Sequence, residues 1–126
     1  MESILGSTRK ADVSFNANGR IDITARVSKM LTLAAGDVID LGINDDFETY
    51  LYIKHRCKDI MGNHEAQVYA TNKGASMNFR AHSIRLCRYV LKECKTNKAR
   101  LPVGKPIYIA DIGVCIPLIT RNNLQK

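Results

Sequence analysis

Arg85, Arg88, Lys92 and Lys95 stand at positions i, i+3, i+7 and i+10 of one another. On a helix these offsets fall on one face. Four cations so arranged repel one another unless an anion lies against them. Glu93 is the one acidic residue in that run, and its position lies off the stripe. The chemistry that suits the pattern is non-covalent. A row of phosphates would neutralise the stripe and reward it through counterion release. Lys73 and Arg80 extend the patch upstream, and Arg9, Lys10, Arg20 and Lys29 make a second basic group in the first half. Such side chains contact phosphate, and an arginine also reaches base edges. A solvated basic face would account for the same residues with no ligand.

Other chemistries find less material. His55 and Cys57, with His64 seven residues beyond, offer three zinc ligands, but no fourth is evident. Asp45, Asp46 and Glu48, with Asp37 and Asp40, lack the twelve-residue ligand spacing of a calcium loop. Asp37 is expected to accept backbone N–H bonds and hold a turn. There is no Gly-x-Ser-x-Gly, phosphate-binding loop or dinucleotide fingerprint. The sequence therefore nominates no catalytic residue, metal ligand or cofactor, and a non-enzymatic protein is expected. The cysteines at 57, 87, 94 and 115 form no Cys-x-x-Cys pair and read as buried thiols in a reducing compartment.

The whole chain bounds the partners further. Its 126 residues suffice for one domain with a core. No apolar run spans a membrane and MESILGSTRK has no signal-peptide pattern, so a cytoplasmic location is expected. The net charge of +7 is unevenly placed. Residues 1–62 hold eight Lys and Arg against nine Asp and Glu, a net −1; residues 63–126 hold eleven against three, a net +8. One basic surface, weighted to the second half, is expected, and nucleic acid is its commonest partner.

The elements that must position these groups follow from periodicity. Residues 11–16 and 20–23 alternate as strands around the turn 17–19. Thr24 is placed to cap a helix over 25–31, with Val27, Met30 and Leu31 on its apolar side. Gly36-Asp37 turns the chain into a strand over 38–43, and Asn44 to Asp46 turns it into another over 49–54. In the second half, 64–71 and 77–82 read as extended. Ser83 caps a helix over 84–95 whose apolar stripe is Ile84, Cys87, Leu91 and Cys94, widened by Leu86 and Val90. Residues 95–100 read as a loop, 101–109 and 114–120 as strands, with Pro106 and Pro117 marking edges or bulges.

The run Gly19-Arg20-Ile21-x-Ile23, the short helix and Leu31-Thr-Leu33-Ala-Ala-Gly36-Asp37-Val-Ile39-Asp-Leu41 resemble the AbrB/MazE/SpoVT swapped-hairpin family over about residues 9–56. Many members have proline where this chain has Thr24. The resemblance implies a strand-strand-helix-strand-strand unit and DNA contact through basic residues, with Arg20 and Lys29 at matching positions and Arg9 and Lys10 aligned loosely.

A second, degenerate copy is expected over about residues 64–123. Leu33 to Leu41 (LAAGDVIDL) and Leu101 to Ile109 (LPVGKPIYI) share leucine, glycine and isoleucine at corresponding places. The caps Thr24 and Ser83 align, as do Tyr50–Ile53 and Cys115–Leu118. The expected fold is mainly β with two short helices (α+β), a single domain over 1–126. Its architecture would be a swapped-hairpin, cradle-loop-type β-barrel made of two ββαββ-like halves. The chain would then be a monomeric pseudo-dimer or a homo-oligomer without membrane association. The expected function is duplex-DNA binding in transcription regulation. The alternative is a non-enzymatic β-barrel interaction or assembly module, of mobile-element origin, that has lost DNA binding.

Overall fold

A computed structural model describes residues 12–57, 64–71 and 78–120. In chain order the elements are β1 (Val13–Asn16), β2 (Arg20–Ile23), α1 (Ala25–Leu31), β3 (Val38–Ile43), β4 (Thr49–His55), β5 (Tyr69–Ala70), β6 (Phe79–His82), α2 (Ile84–Cys94), β7 (Lys98–Leu101), β8 (Ile107–Ile109) and β9 (Gly113–Leu118). The protein is thus mainly β with two helices. All strand pairs are antiparallel and form two sheets, sheet A in the order β5-β6-β2-β1-β7 and sheet B in the order β3-β4-β9-β8.

Alternation decides which faces meet. In sheet A, Val13, Phe15, Ile21, Ile23, Phe79, Ala81, Ala99 and Leu101 are buried, and the residues between them face outward. They join Ile39, Leu51, Ile116 and Leu118 of sheet B in one apolar cluster. Val27 and Leu31 of α1 and Cys87, Val90 and Leu91 of α2 complete it. Ile84 does not belong to the helix stripe that the sequence suggests. It is 51% exposed and lies beside the β1–β2 turn, where a Cβ on Gly19 (φ +94°) would come within 3.0 Å of its Cγ1. Gly19 thus serves both the positive φ of the turn and the close approach of α2.

The strand order reads as two matched halves. Hairpins β1–β2 and β5–β6 lie in sheet A and meet at β2 and β6; hairpins β3–β4 and β8–β9 lie in sheet B and meet at β4 and β9. The correspondence that aligns Thr24 with Ser83 carries the pair Arg20↔His82 onto Ile23↔Phe79, and Ile21↔Ala81 onto Asp22↔Arg80. The correspondence of the closing strands carries Tyr50↔Pro117 onto Tyr52↔Cys115 and leaves Leu51↔Ile116 on itself. The barrel expected from the resemblance is not formed. Each sheet ends in strands with one neighbour, so the described residues form two sheets and no closed ring.

Four local expectations change. Residues 64–71 form a strand only over Tyr69–Ala70, because the chain turns at 64–66 with Ala66 at φ +61°. The loop expected over 95–100 ends early, at β7, where Ala99 and Leu101 point inward and Lys98 and Arg100 outward. Thr24 occupies the N-cap of α1 without a side-chain cap bond, and its buried Oγ1 has no partner. The Ala25 N–H donates instead to Asn78 Oδ1 at 2.8 Å, from the start of β6. Pro117 lies in β9, an internal strand. It is accommodated because β8 pairs only as far as Cys115, and beyond it Gly104 N–H donates to the Pro117 carbonyl at 2.9 Å. Gly104 itself is required by that approach, since a Cβ there would lie 2.9 Å from Pro117 Cγ. Gly36, its counterpart in the shared glycine stretch, instead takes φ +97° in a turn.

The turns are held by buried carboxylates. Asp37 Oδ2 accepts the Ala34 N–H at 2.9 Å, as its place after Gly36 suggests, and also Arg56 Nη1 at 2.9 Å. Arg56 reaches on to the carbonyl of Thr32, the left-handed C-cap of α1. Asp12 Oδ2 likewise accepts Arg26 Nη1 at 2.8 Å and the Val103 N–H at 3.2 Å.

Candidate nucleic-acid interface

The outward face of sheet A is polar, with four Arg or Lys side chains and one carboxylate. Register places Tyr69, Arg80, Asp22, Ser14 and Arg100 across one row. The next row holds His82 opposite Arg20 and Asn16 opposite Lys98. Asp22 is the one carboxylate among them. It accepts Arg80 Nε at 2.7 Å, and Arg20 Nε lies 3.2 Å away without hydrogen-bond geometry. The Asp22 contact raises the Arg80 pKa above its ordinary value. Tyr69 Oη and His82 Nε2 are 3.0 Å apart and their rings stack.

Helix α2 borders this face. It leaves β6 at one side of the sheet and delivers the chain to β7 at the other, three strand spacings or ~14 Å away. Its 11 residues span ~16 Å, and it packs against β1, β2 and β7. The helix therefore crosses the end of sheet A at which the β1–β2 turn, His82 and Lys98 lie. Ser83 starts it as expected, with Oγ accepting the Leu86 N–H at 3.2 Å. Cys87, Val90 and Leu91 face the core, which leaves Arg88 and Lys92 exposed on the opposite side; Lys95, the left-handed C-cap beyond the helix, is exposed as well. None of these three has an ion pair within the described residues. Basic side chains thus occur on α2, at the sheet end that it crosses (Arg20 and Lys98) and on β7 at Arg100.

Arg85 differs from its three neighbours. It has the anionic partner that the sequence did not reveal: Glu65, twenty residues upstream, which it grips through Nε at 2.9 Å and through Nη2. Ser83 Oγ donates to the same carboxylate at 2.9 Å. These two contacts, Arg85 first, lower the Glu65 pKa from 4.5 to about 2 against the opposing effect of burial. The folded value lies below the unfolded one. This contribution to stability is therefore full above about pH 4.5 and fades as pH falls toward 2. Both side chains are substantially exposed, so the stabilisation is small. In Arg85→Ala the Glu65 titration, followed by carboxyl-carbon NMR, is expected to move back toward 4.5.

The remaining basic positions separate. Lys29 is exposed in the last turn of α1. That helix continues from the Ile23 end of β2, so Lys29 lies at the opposite end of sheet A from α2 and is not brought together with Arg20. Arg9, Lys10 and Lys73 fall outside the described residues. Lys98 and Arg100 also lie on the outward face of sheet A, although the sequence does not nominate them. Their signal was the charged-apolar alternation of Lys98-Ala-Arg-Leu101, overlooked in a segment read as loop.

The other candidates stay apart from this surface. Among the described residues no three His, Cys, Asp or Glu side chains gather as a metal site, and no helix is long and apolar enough to cross a membrane. The four cysteines are free; Cys87 and Cys115 are buried, Cys57 and Cys94 half-buried. Burial pushes the thiols of Cys87, Cys94 and Cys115 up, which disfavours the reactive thiolate. Compared with known proteins, the chain matches no protein-family model, no curated protein and no solved structure.

Proposed function

We propose that the protein binds duplex DNA through the surface formed by α2 and the outward face of sheet A, and serves in transcription regulation. The observation that carries this reading is the set Arg88 and Lys92 of α2 and its C-cap Lys95, all exposed and without an ion pair among the described residues. Lys98 of β7 continues it. Such a surface gains from phosphate what its own side chains do not supply. Arg20 and Arg80, partly satisfied by Asp22, serve to position rather than to add charge.

The finer architecture belongs to the same proposal. The chain is read as an AbrB-like unit fused to a diverged copy, a pseudo-dimer of swapped-hairpin type. Support comes from the strand order, which apart from β7 is palindromic, and from two registers that map onto themselves, β2–β6 under the cap alignment and β4–β9 under the closing-strand alignment. The basic face is then asymmetric, because residues 63–126 carry a net +8 and residues 1–62 a net −1.

Fluorescence anisotropy with random-sequence duplex DNA over a salt series tests the reading. Binding is expected at about 50 mM salt and is expected to weaken steeply toward 200 mM. Absence of binding at the low end would sink the proposal.

A further inference from the structure

Arg85 belongs to the basic row of α2 by position but not by contact. It stands seven residues, about two turns, before Lys92 on the exposed side of the helix, and its side chain is 83% exposed. Its guanidinium is nevertheless turned onto Glu65, with Nε donating to Oε2 at 2.9 Å and Nη2 donating to Oε1. This two-pronged grip on a pair of oxygens is the geometry by which arginine also takes a phosphate. Glu65 therefore makes the contact that a backbone phosphate would make at this end of the helix. Its carboxylate is fixed in place. The turn that carries it is tied at three points: Ala66 N–H donates to the His82 carbonyl at 2.8 Å, Ile39 N–H donates to the Ala66 carbonyl at 3.0 Å, and the buried Gln67 Nε2 donates to the Gly36 carbonyl at 3.2 Å. Ser83 Oγ holds Oε2 from the helix side at 2.9 Å. The Glu65 contact, with a smaller effect from Asp40 of β3, raises the Arg85 pKa above its ordinary value. Arg88, Lys92 and Lys95 make no ion pair among the described residues.

We infer that Glu65 is a built-in competitor of the nucleic-acid backbone: it keeps Arg85 from phosphate and confines contact on α2 to Arg88, Lys92 and the C-cap Lys95. The inference rests on the duplex-binding reading and adds to it a residue that sets how far along the helix the backbone runs. The competition is graded. The Glu65–Arg85 pair is exposed and hence weak, so it lowers affinity without abolishing it. The competition is also constant. The Glu65 carboxyl titrates at about 2, so it stays charged at every pH near neutrality and acid does not release Arg85 there. Removing the charge at position 65 does.

Anisotropy titrations of the full chain with random-sequence duplex DNA across salt test it. Glu65→Gln keeps the side chain's shape and an acceptor for Ser83 while removing the charge. It is expected to steepen the slope of log affinity against log salt concentration by up to about 0.9, one phosphate contact, and to raise affinity at about 0.1 M salt roughly five- to tenfold. Two variants separate release of Arg85 from a mere loss of negative charge. Glu93→Gln removes an exposed carboxylate of α2 that lies off the basic row, and is expected to leave the slope unchanged. Adding Arg85→Ala to Glu65→Gln is expected to cancel the gain, since the gain runs through Arg85. Arg85→Ala alone is expected to lower the slope by less than one contact, which tests the shielding even where Glu65→Gln disturbs the turn. Wild-type binding with an unchanged slope in Glu65→Gln overturns the inference. So does a gain that persists in the double variant, or the loss of a full contact in Arg85→Ala. Absence of binding in the wild type and Glu65→Gln alike sinks the duplex-binding reading itself, and the inference with it.

Discussion

Leu51→Ala is expected to destabilise the protein by about 2–5 kcal/mol. Leu51 is fully buried at the middle of β4, with Leu41 of β3 on one side and Ile116 of β9, equally buried, on the other. The pair Leu51↔Ile116 lies where the two second hairpins of the chain meet, so shortening one side chain opens a void between them. The cost combines lost burial with a cavity that two hydrogen-bonded strands cannot collapse to fill. Ile43→Ala is the comparison. Ile43 lies on the adjacent strand of the same sheet but is 52% exposed, and its loss is expected to change stability by about 0.5 kcal/mol or less. Urea unfolding of both variants checks the contrast. Equal costs would mean that sheets A and B do not enclose their core at this point.

Arg88→Ala/Lys92→Ala/Lys95→Ala is expected to weaken duplex binding strongly while leaving the fold intact. All three side chains are exposed and none makes an ion pair within the described residues, so their removal exposes no buried charge. Each phosphate contact contributes about 0.9 to the slope of log affinity against log salt concentration. Loss of three lowers the slope by about 2.7, and the affinity at about 0.1 M salt falls on the order of a hundredfold or more. Arg85→Ala separates this from a simple effect of charge number. Arg85 is engaged by Glu65, so its removal is expected to lower the slope by less than one full contact. Anisotropy titrations across salt measure both variants. A triple variant that retains the wild-type slope would place the DNA elsewhere.

What was legible in the sequence was local and periodic. β1, β2, α1, β3 and β4 were found within two residues, because Val13, Phe15, Ile21 and Ile23 alternate and Val27 and Leu31 recur at helical spacing. α2 was found for the same reason, together with its Ser83 cap. What was not legible was contributed from afar. Glu65, the partner of Arg85, is separated from it by twenty residues. The cap of α1 comes from Asn78, and so the local candidate Thr24 is left with an unpartnered hydroxyl. β7 was missed because two of its four residues are charged, and only the sheet beneath shows that Ala99 and Leu101 point inward. The closed barrel was an expectation carried by the family resemblance together with the internal repeat; among the described residues the strand pairing ends at four edges instead.

The cap that Asn78 lends to Ala25 has a consequence for how the chain reaches its fold. It joins positions 53 residues apart, and the ladders β2–β6 and β4–β9 likewise tie early sequence to late. A seven-residue helix is not stable alone. α1 therefore has no reason to persist while the ribosome is still delivering the second half. The chain must close its long loops before its first helix is worth forming, which is the topology of a slow and highly cooperative folder. Within the described residues, 12–56 thus take the cap of α1 and two of their sheet neighbours from 78–118, so the early half waits for the late one.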